Sequence, residues 1–185
     1  MKLLTFENYE VKPAPEALLV RPIRKLYNQD RSKNKEHFMQ QMSYLYFMCD
    51  PRSTYAYMID EEEREKSILE QEGLPEDFKP SSTLVEAMQI YAKHTETSSS
   101  RLLTSIRVAI DALVEEMNDA KELLGERTDK GARVTKTNDL ITSINNVMKM
   151  IPQLQDLEKK VAAEISEKET RAKGAENKMF EDGMF

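Results

Sequence analysis

Two long stretches with apolar residues at helical spacing constrain the fold of this chain more than any other feature. On the first, one stripe runs up to Gly125: Leu102, Leu103, Ile106, Ala109, Ile110, Leu113, Val114 and Met117. The second starts near Thr137 with a spacing near 3.5 residues: Leu140, Ile144, Val147, Ile151, Leu154, Val161 and Ile165. This periodicity is typical of amphipathic helices. With a polar turn over 126–136 between them, the helices most simply fold back as an antiparallel hairpin over about 100–168, which Pro152 should kink.

Shorter helices are predicted before the hairpin. The first begins at Asp30 or Ser32, since either side chain can cap free backbone amides. It is interrupted at Asp50-Pro51, because proline removes a backbone donor and disfavours helix in the residue before it.

Two further helices have clear start and stop signals. Asp60, with Glu63 three residues later, resembles a capping box, and Gly73 ends the helix that follows. Ser82 or Thr83 caps the next helix. The predicted fold class is therefore all-α, a helical bundle over 30–170 that contains the hairpin.

The two termini are predicted to differ from this body. Residues 1–29 carry Pro13, Pro15 and Pro22 and show no sustained helical period, which favours an extended N-terminal arm lying on a surface. We expect its contacts to come from the apolar residues Leu18, Leu19 and Ile23.

Residues 171–185 are predicted to form a docking tail. The segment is polar except for two pairs, Met179-Phe180 and Met184-Phe185. Such a composition buries too little apolar area to order the chain by itself, so a partner must supply pockets for these side chains. The alternative is a frayed terminus whose apolar residues have no role.

A dense aromatic block spans the end of the first helix. Tyrosine, phenylalanine and arginine are enriched at protein interfaces, and they cluster here with one aspartate: Tyr44, Phe47, Asp50, Arg52, Tyr55 and Tyr57. The same residues could equally form ordinary packing, and the sequence leaves both readings open.

Composition excludes several classes of protein. The net charge of -6 and pI near 5.2 argue against a sequence-independent grip on nucleic acid, which needs clustered Lys and Arg. The single cysteine, Cys49, excludes an internal disulfide framework, and no apolar run is long enough to span a bilayer. The start, MKLLTFENYE, lacks the apolar core of a signal peptide. We expect an intracellular, soluble protein of one domain.

Residues suited to catalysis are few. His37, Cys49 and His94 are widely separated, and His37 and Cys49 project about 120° apart on a helix. The carboxylates of Asp60 to Glu63 are consecutive, which is wrong for a calcium loop. We predict no enzyme activity, no catalytic or metal-binding residue and no cofactor.

Four short segments follow one another along residues 30–160: Asp30-Arg31-Ser32-Lys33 before an aromatic helix, Phe47-Met48-Cys49-Asp50-Pro51-Arg52-Ser53, Asp60-Glu61-Glu62-Glu63-Arg64 and Gly73-Leu74-Pro75. Their order resembles that in virion structural proteins of large tailed bacteriophages, and most of all a head-to-tail neck (ring or connector) protein of crAss-like phages.

The resemblance implies a mostly helical subunit in a ring of about twelve copies below the portal. Its partners would be the portal protein and adjacent neck or tail proteins, with double-stranded DNA passing through the lumen without specific binding. The protein would be made in the host cytoplasm and located at the neck of the virion, away from any membrane. Two alternatives stay open: an internal virion or scaffolding protein, and a non-viral coiled-coil adaptor that presents the Met-Phe tail.

Overall fold

The computed structural model describes residues 2–75, 77–122 and 137–181. Side chains are described within these ranges except at 121, 122, 137, 139 and 171–181. The described chain is mostly helical, which confirms the mostly helical class, and it also contains a two-stranded sheet that the sequence did not predict. The predicted turn over 126–136 lies outside the described residues.

The chain divides into two compact units. Unit 1 comprises Met1–Thr97 and Ala162–Phe185, and unit 2 comprises Ser98–Val161. The last helix contributes residues to both.

The N-terminal residues are folded, so the prediction of an extended arm over 1–29 is wrong. They form two strands, a 3₁₀ helix and an α-helix: β1 (Leu4–Glu7), β2 (Glu10–Pro13), the 3₁₀ helix Pro15–Leu19 and α1 (Arg21–Gln29). The strands pair antiparallel, with Phe6 opposite Val11. Pro15 and Pro22 lie at the first positions of their helices, where a missing N–H costs nothing, so they start these helices instead of preventing them.

The turn between β1 and β2 explains why this β-hairpin could not be predicted from the sequence. Asn8 and Tyr9 both have positive φ, 54° and 63°, as a two-residue hairpin turn requires. Asparagine adopts this conformation readily, but tyrosine in place of the usual glycine hides the signal. Tertiary packing of β2 and α1 on the helices of unit 1 stabilises the arrangement.

Three further helices lie entirely in unit 1: α2 (Glu36–Cys49), α3 (Glu61–Gln71) and α4 (Ser82–Thr95). The Asp30 carboxylate accepts hydrogen bonds from the backbone amides of Ser32 and Phe38, at 2.7 and 2.8 Å, so it closes the chain against the first turns of α2. Asp60 accepts from the amides of Glu62 and Glu63, as predicted for a cap. Ser81, one residue before the predicted choices, caps α4.

The core of unit 1 lies between α2 and the elements around it. Its fully buried large side chains come from the hairpin, α1, α2, α3 and α4: Leu4, Ile23, Phe38, Met42, Leu45, Ile68, Leu84 and Tyr91. Helix α2 contacts β2, α3 and α4, and it buries six side chains, which makes it the central element. This arrangement fixes the position of the residues around the end of α2.

Unit 2 is built from the two long helices, α5 (Ser98–Glu122) and the first part of α6 (Thr137–Glu181). Half-buried or buried residues recur on α5 at steps of three and four: Leu103, Ile106, Ile110, Leu113, Met117 and Ala120. On α6 the same steps give Leu140, Ser143, Val147, Met150, Leu154, Leu157 and Val161. We call these buried and half-buried residues of the two helices the seam of unit 2. Of the apolar residues predicted to line α6, Ile144 and Ile151 are exposed, so they do not belong to the seam.

Candidate interaction surfaces and the buried polar cluster

A buried carboxylate closes the end of α2. Asp50 is only 2% exposed, and its backbone N–H donates to the Tyr46 carbonyl as the last bond of the helix. Its side chain accepts from the Arg52 backbone amide at 2.8 Å and from the Arg52 guanidinium at 2.9 and 2.8 Å. A fourth bond, 2.6 Å long, comes from the hydroxyl of Tyr91 on α4. The acceptor positions of this carboxylate are therefore well filled, as a buried charge requires.

The arginine of this cluster also reaches the last helix. Arg52 Nη2 lies 3.3 Å from Glu169 Oε1, and both side chains are largely buried. Burial by itself lowers the pKa of Arg52, but the hydrogen bonds and charge of Asp50, with Glu169 in addition, raise it above its ordinary value. Burial and the neighbouring Asp50 likewise raise the pKa of Tyr91, so the tyrosine stays protonated and keeps donating. The cluster is a fixed ion-pair network within unit 1.

The structure resolves the two readings of the aromatic block in favour of packing for most of its members. Tyr44, Phe47 and Tyr55 are buried, and the Phe47 and Tyr55 rings meet edge to face with centroids 5.3 Å apart. Tyr57 alone among the predicted tyrosines is exposed, at 65%. The block therefore forms the interior around the end of α2 and leaves one aromatic ring on the surface.

Two tyrosine hydroxyls of the block tether α3. Tyr44 donates to Glu65 at 2.7 Å, and Tyr55 donates to Glu72 at 2.7 Å. Burial first, and then these carboxylates, raise the pKa values of both tyrosines. The hydroxyls keep a polar end at the edge of the core while the rings fill it, which is the usual arrangement for buried tyrosine.

The thiol of Cys49, beside this cluster, is expected to have low reactivity. Burial raises the pKa of Cys49 to about 12, despite the opposing positive charge of Arg64. A thiol with such a pKa is almost entirely protonated near neutrality and is a poor nucleophile or metal ligand. Within the described residues, no three His, Cys, Asp or Glu side chains lie together as a metal-binding group.

A groove of about 620 Å³ runs along α3. Leu69, Phe78 and Pro80 supply apolar lining, and carboxylates and two lysines stand around them: Glu62, Glu65, Glu70, Lys66 and Lys79. Its mixture of apolar lining and charged rim could hold a short amphipathic peptide.

A second apolar surface lies on α6. We call the α6 stripe the four residues Ile141, Ile144, Met148 and Ile151, which are between 36% and 63% exposed. Their steps of three, four and three keep them on one face of the helix. On a helical projection this face lies about 100° from the half-buried seam of the same helix. The α6 stripe is an apolar helix face that the described residues leave exposed.

The remaining predicted interface residues differ in burial, and some lie outside the described residues. Ile23 is fully buried in the core and Leu18 packs against it, whereas Leu19 is 68% exposed. The arm contacts are thus mainly internal packing. Helix α6 is continuous to Glu181, so the backbone of 171–181 is helical, while the side chains of Met179 and Phe180 and the whole of Met184 and Phe185 lie outside the described residues. The docking role of the tail stays a prediction.

Sequence reasoning missed the partners that assemble the polar cluster. Tyr91 and Glu169 are 41 and 119 residues from Asp50, and no local pattern links them. The α6 stripe did leave a signal, because the apolar residues of α6 occupy two adjacent heptad-like sets, which one stripe cannot explain.

Together these features define a mostly helical protein with a buried polar cluster and, on its described surface, an apolar helix face. Among the helices that the structure describes, none has the length and apolarity needed to span a bilayer. Comparison with protein-family models, with curated proteins and with solved structures gave no match.

Proposed function

We propose that this protein is a structural subunit of a larger assembly, and specifically a ring-forming neck protein of a tailed phage that joins the capsid to the tail below the portal. The observation that carries the assembly role is the α6 stripe, four large apolar side chains left exposed on a long helix. The largest apolar patch on a protein surface is often functional. The order of the short segments along 30–160 supports the neck protein in particular.

The long helices are proposed to form the antiparallel hairpin. Arg107 on α5 donates to Glu158 on α6 at 2.8 Å, so these two positions are adjacent. The half-buried residues of both helices recur with the 3.5-residue period of a left-handed helix pair. A hairpin of this kind would give each subunit a stiff element for contacts between neighbours.

The charge of the chain suits a subunit that surrounds DNA without holding it. A net charge of -6 repels phosphates, so a ring of such subunits would favour passage of the genome over adhesion. The portal protein and adjacent neck or tail proteins would be its protein partners.

The C-terminal tail is proposed as a fastener between subunits or to the portal. A tail already held near its pocket acts at an effective concentration that can reach millimolar, so modest affinity of the Met-Phe pairs suffices. This fastening does not require the tail to be ordered in the free subunit.

Measurement of assembly mass tests the proposal. The full chain, alone and mixed with a phage portal protein, is examined by light scattering after size exclusion and by native mass spectrometry. We expect a ring-sized species, formed alone or on the portal, and weaker assembly when residues 177–185 are deleted. The single variant Asn177→Ser serves as the control for a change in the tail that spares the Met-Phe pairs.

A chain that stays monomeric in both mixtures would overturn the ring. Particles that contain the protein only inside the capsid would instead favour a scaffolding role. If the truncated chain assembles as well as the full one, the tail is not a fastener, although the ring would stand.

A further inference from the structure

We propose that the α6 stripe is the contact surface for a second copy of this chain, packed antiparallel against it. This goes beyond the ring, because a symmetric contact closes a pair, and a ring would need another, head-to-tail interface. The pairing is therefore proposed for the free subunit, because a ring that joins capsid to tail is polar and has no two-fold axis between neighbouring subunits. The dimer can be tested without the portal.

The first observation is the exposure of the stripe. Ile141, Ile144, Met148 and Ile151 expose roughly 350 Å² of apolar side chain, which is the size of the largest patch on a typical monomer. The half-buried seam of α6 is already occupied within unit 2, so the stripe is an additional face of the same helix. A helix with two adjacent apolar faces is typical of bundles in which it has a helix on each face.

The second observation is the lack of charge around the stripe. From Thr137 to Gln155 the only charged residues are Asp139 and Lys149, two of nineteen, whereas 32% of the whole chain is charged. Depletion of charge is the compositional mark of an interface core. A nearly neutral face also fits a second copy of itself, since no like charges are brought together, whereas it offers nothing to attract a strongly charged partner.

The third observation is the spacing of the stripe, which fits an antiparallel pair. Positions 141 and 151, and positions 144 and 148, are equidistant from position 146. A two-fold axis at that point places Ile141 opposite Ile151 of the second copy, and Ile144 opposite Met148 of the second copy. Every apolar residue of the stripe then meets another. A parallel pair would place each residue opposite itself, and disulfide crosslinks distinguish the two arrangements.

The surface area buried between the two copies sets the expected affinity of the dimer. Two stripes cover roughly 700 Å² of apolar surface, and at the usual apolar fraction of an interface this corresponds to about 1,200 Å² in total. That value is at the lower end for specific complexes, so we expect a reversible dimer that dissociates in the micromolar range or above.

Disulfide trapping tests the geometry directly. In a Cys49→Ser background, the double variant Ile141→Cys/Ile151→Cys should form covalent dimers on mild oxidation, because each new cysteine faces its counterpart on the other copy. The two positions are about 15 Å apart along one helix, so they cannot join within a chain. In the antiparallel pair each position is also about 15 Å from the same position of the other copy. Ile141→Cys alone and Ile151→Cys alone should therefore remain uncrosslinked, while a mixture of the two single variants should crosslink.

Sedimentation of the uncrosslinked chain tests the energetics. Met148→Glu should raise the dimer dissociation constant at least tenfold, because it places a carboxylate against an apolar side chain of the other copy. Leu19→Glu is the matched control, since Leu19 has a similar exposure of 68% but lies in unit 1, and it should leave the dissociation constant unchanged. Met148 is 63% exposed, so the variant should keep the circular dichroism of the parent.

Three outcomes would overturn the proposal: a chain that remains monomeric up to about 100 μM, crosslinking of either single-cysteine variant alone, and a dimer that Met148→Glu does not weaken. The first would leave the stripe to another protein, the second would show parallel packing, and the third would place the dimer contact elsewhere. None of these results depends on whether the chain forms a ring with a portal.

Discussion

The hydroxyl of Tyr91 donates a 2.6 Å hydrogen bond to the carboxylate of Asp50, across 41 residues of sequence, and so joins α4 to the end of α2. The same carboxylate holds Arg52, which in turn lies against Glu169 of α6. Three separate segments of unit 1 thus meet at one buried charge.

Removing the charge of Asp50 should be among the most damaging single changes in unit 1. Asp50→Asn leaves the largely buried guanidinium of Arg52 without its main counterion, and we expect a loss of about 3–5 kcal/mol in the free energy of unfolding. Tyr91→Phe removes one bond to a charged acceptor and should cost about 1.5–3 kcal/mol. Denaturant unfolding measures both, and Tyr57→Phe, at an exposed tyrosine, is the neutral control. Equal stabilities of the Tyr91 and Tyr57 variants would contradict the role of this bond.

The Asp30 cap should make the protein sensitive to acid. Burial alone raises the pKa of Asp30, but the hydrogen bonds from Ser32 and Phe38 outweigh it and lower this pKa to about 2, from 3.8 in a free chain. Because the folded pKa is depressed, the stabilisation is complete above about pH 4 and disappears as the pH falls toward 2. Asp30→Asn should therefore be clearly less stable than the parent at pH 6, and the difference should shrink at pH 3. Asp111→Asn, at an exposed residue of α5, removes the same charge and serves as the matched control.

The seam of unit 2 should respond to charge, while the outer face of α5 should not. Ile110 is half-buried at a seam position, so Ile110→Asp should cost about 2–3 kcal/mol by placing a carboxylate among apolar side chains. Glu115 is exposed on the same helix, and Glu115→Gln should change the unfolding free energy by less than about 0.5 kcal/mol. Far-UV circular dichroism during chemical denaturation follows both. Equal midpoints would show that the seam is assigned to the wrong face.

Cys49 should resist alkylation until the protein unfolds. With a pKa of about 12, its thiolate fraction at pH 8 is about a thousandfold below that of an ordinary cysteine. Iodoacetamide labelling followed by mass spectrometry should therefore be slow for the native chain and fast in denaturant. Rapid labelling of the native chain at pH 8 would show that the thiol is neither buried nor raised in pKa.

Several features of the fold could be read from the sequence because their causes are local. Asp60 caps α3 through amides only two and three residues away, and Gly73, with φ of 67°, stands just beyond the end of that helix. The interruption after Cys49 and the long apolar periods of α5 and α6 depend likewise on neighbouring residues. In these segments local propensity and the final fold agree.

Only the tertiary structure decided which residues are inside. The same heptad spacing placed Val147 in the seam and left Ile144 exposed, since the difference depends on where the neighbouring helix lies. The first 29 residues fold as a hairpin and a helix because the body of unit 1 offers them a surface to pack on, which no local pattern records. The polar cluster depends on the same packing. Arg52 reaches Asp50 locally, but the Tyr91 hydroxyl meets Asp50, and Glu169 meets Arg52, only once the helices have packed.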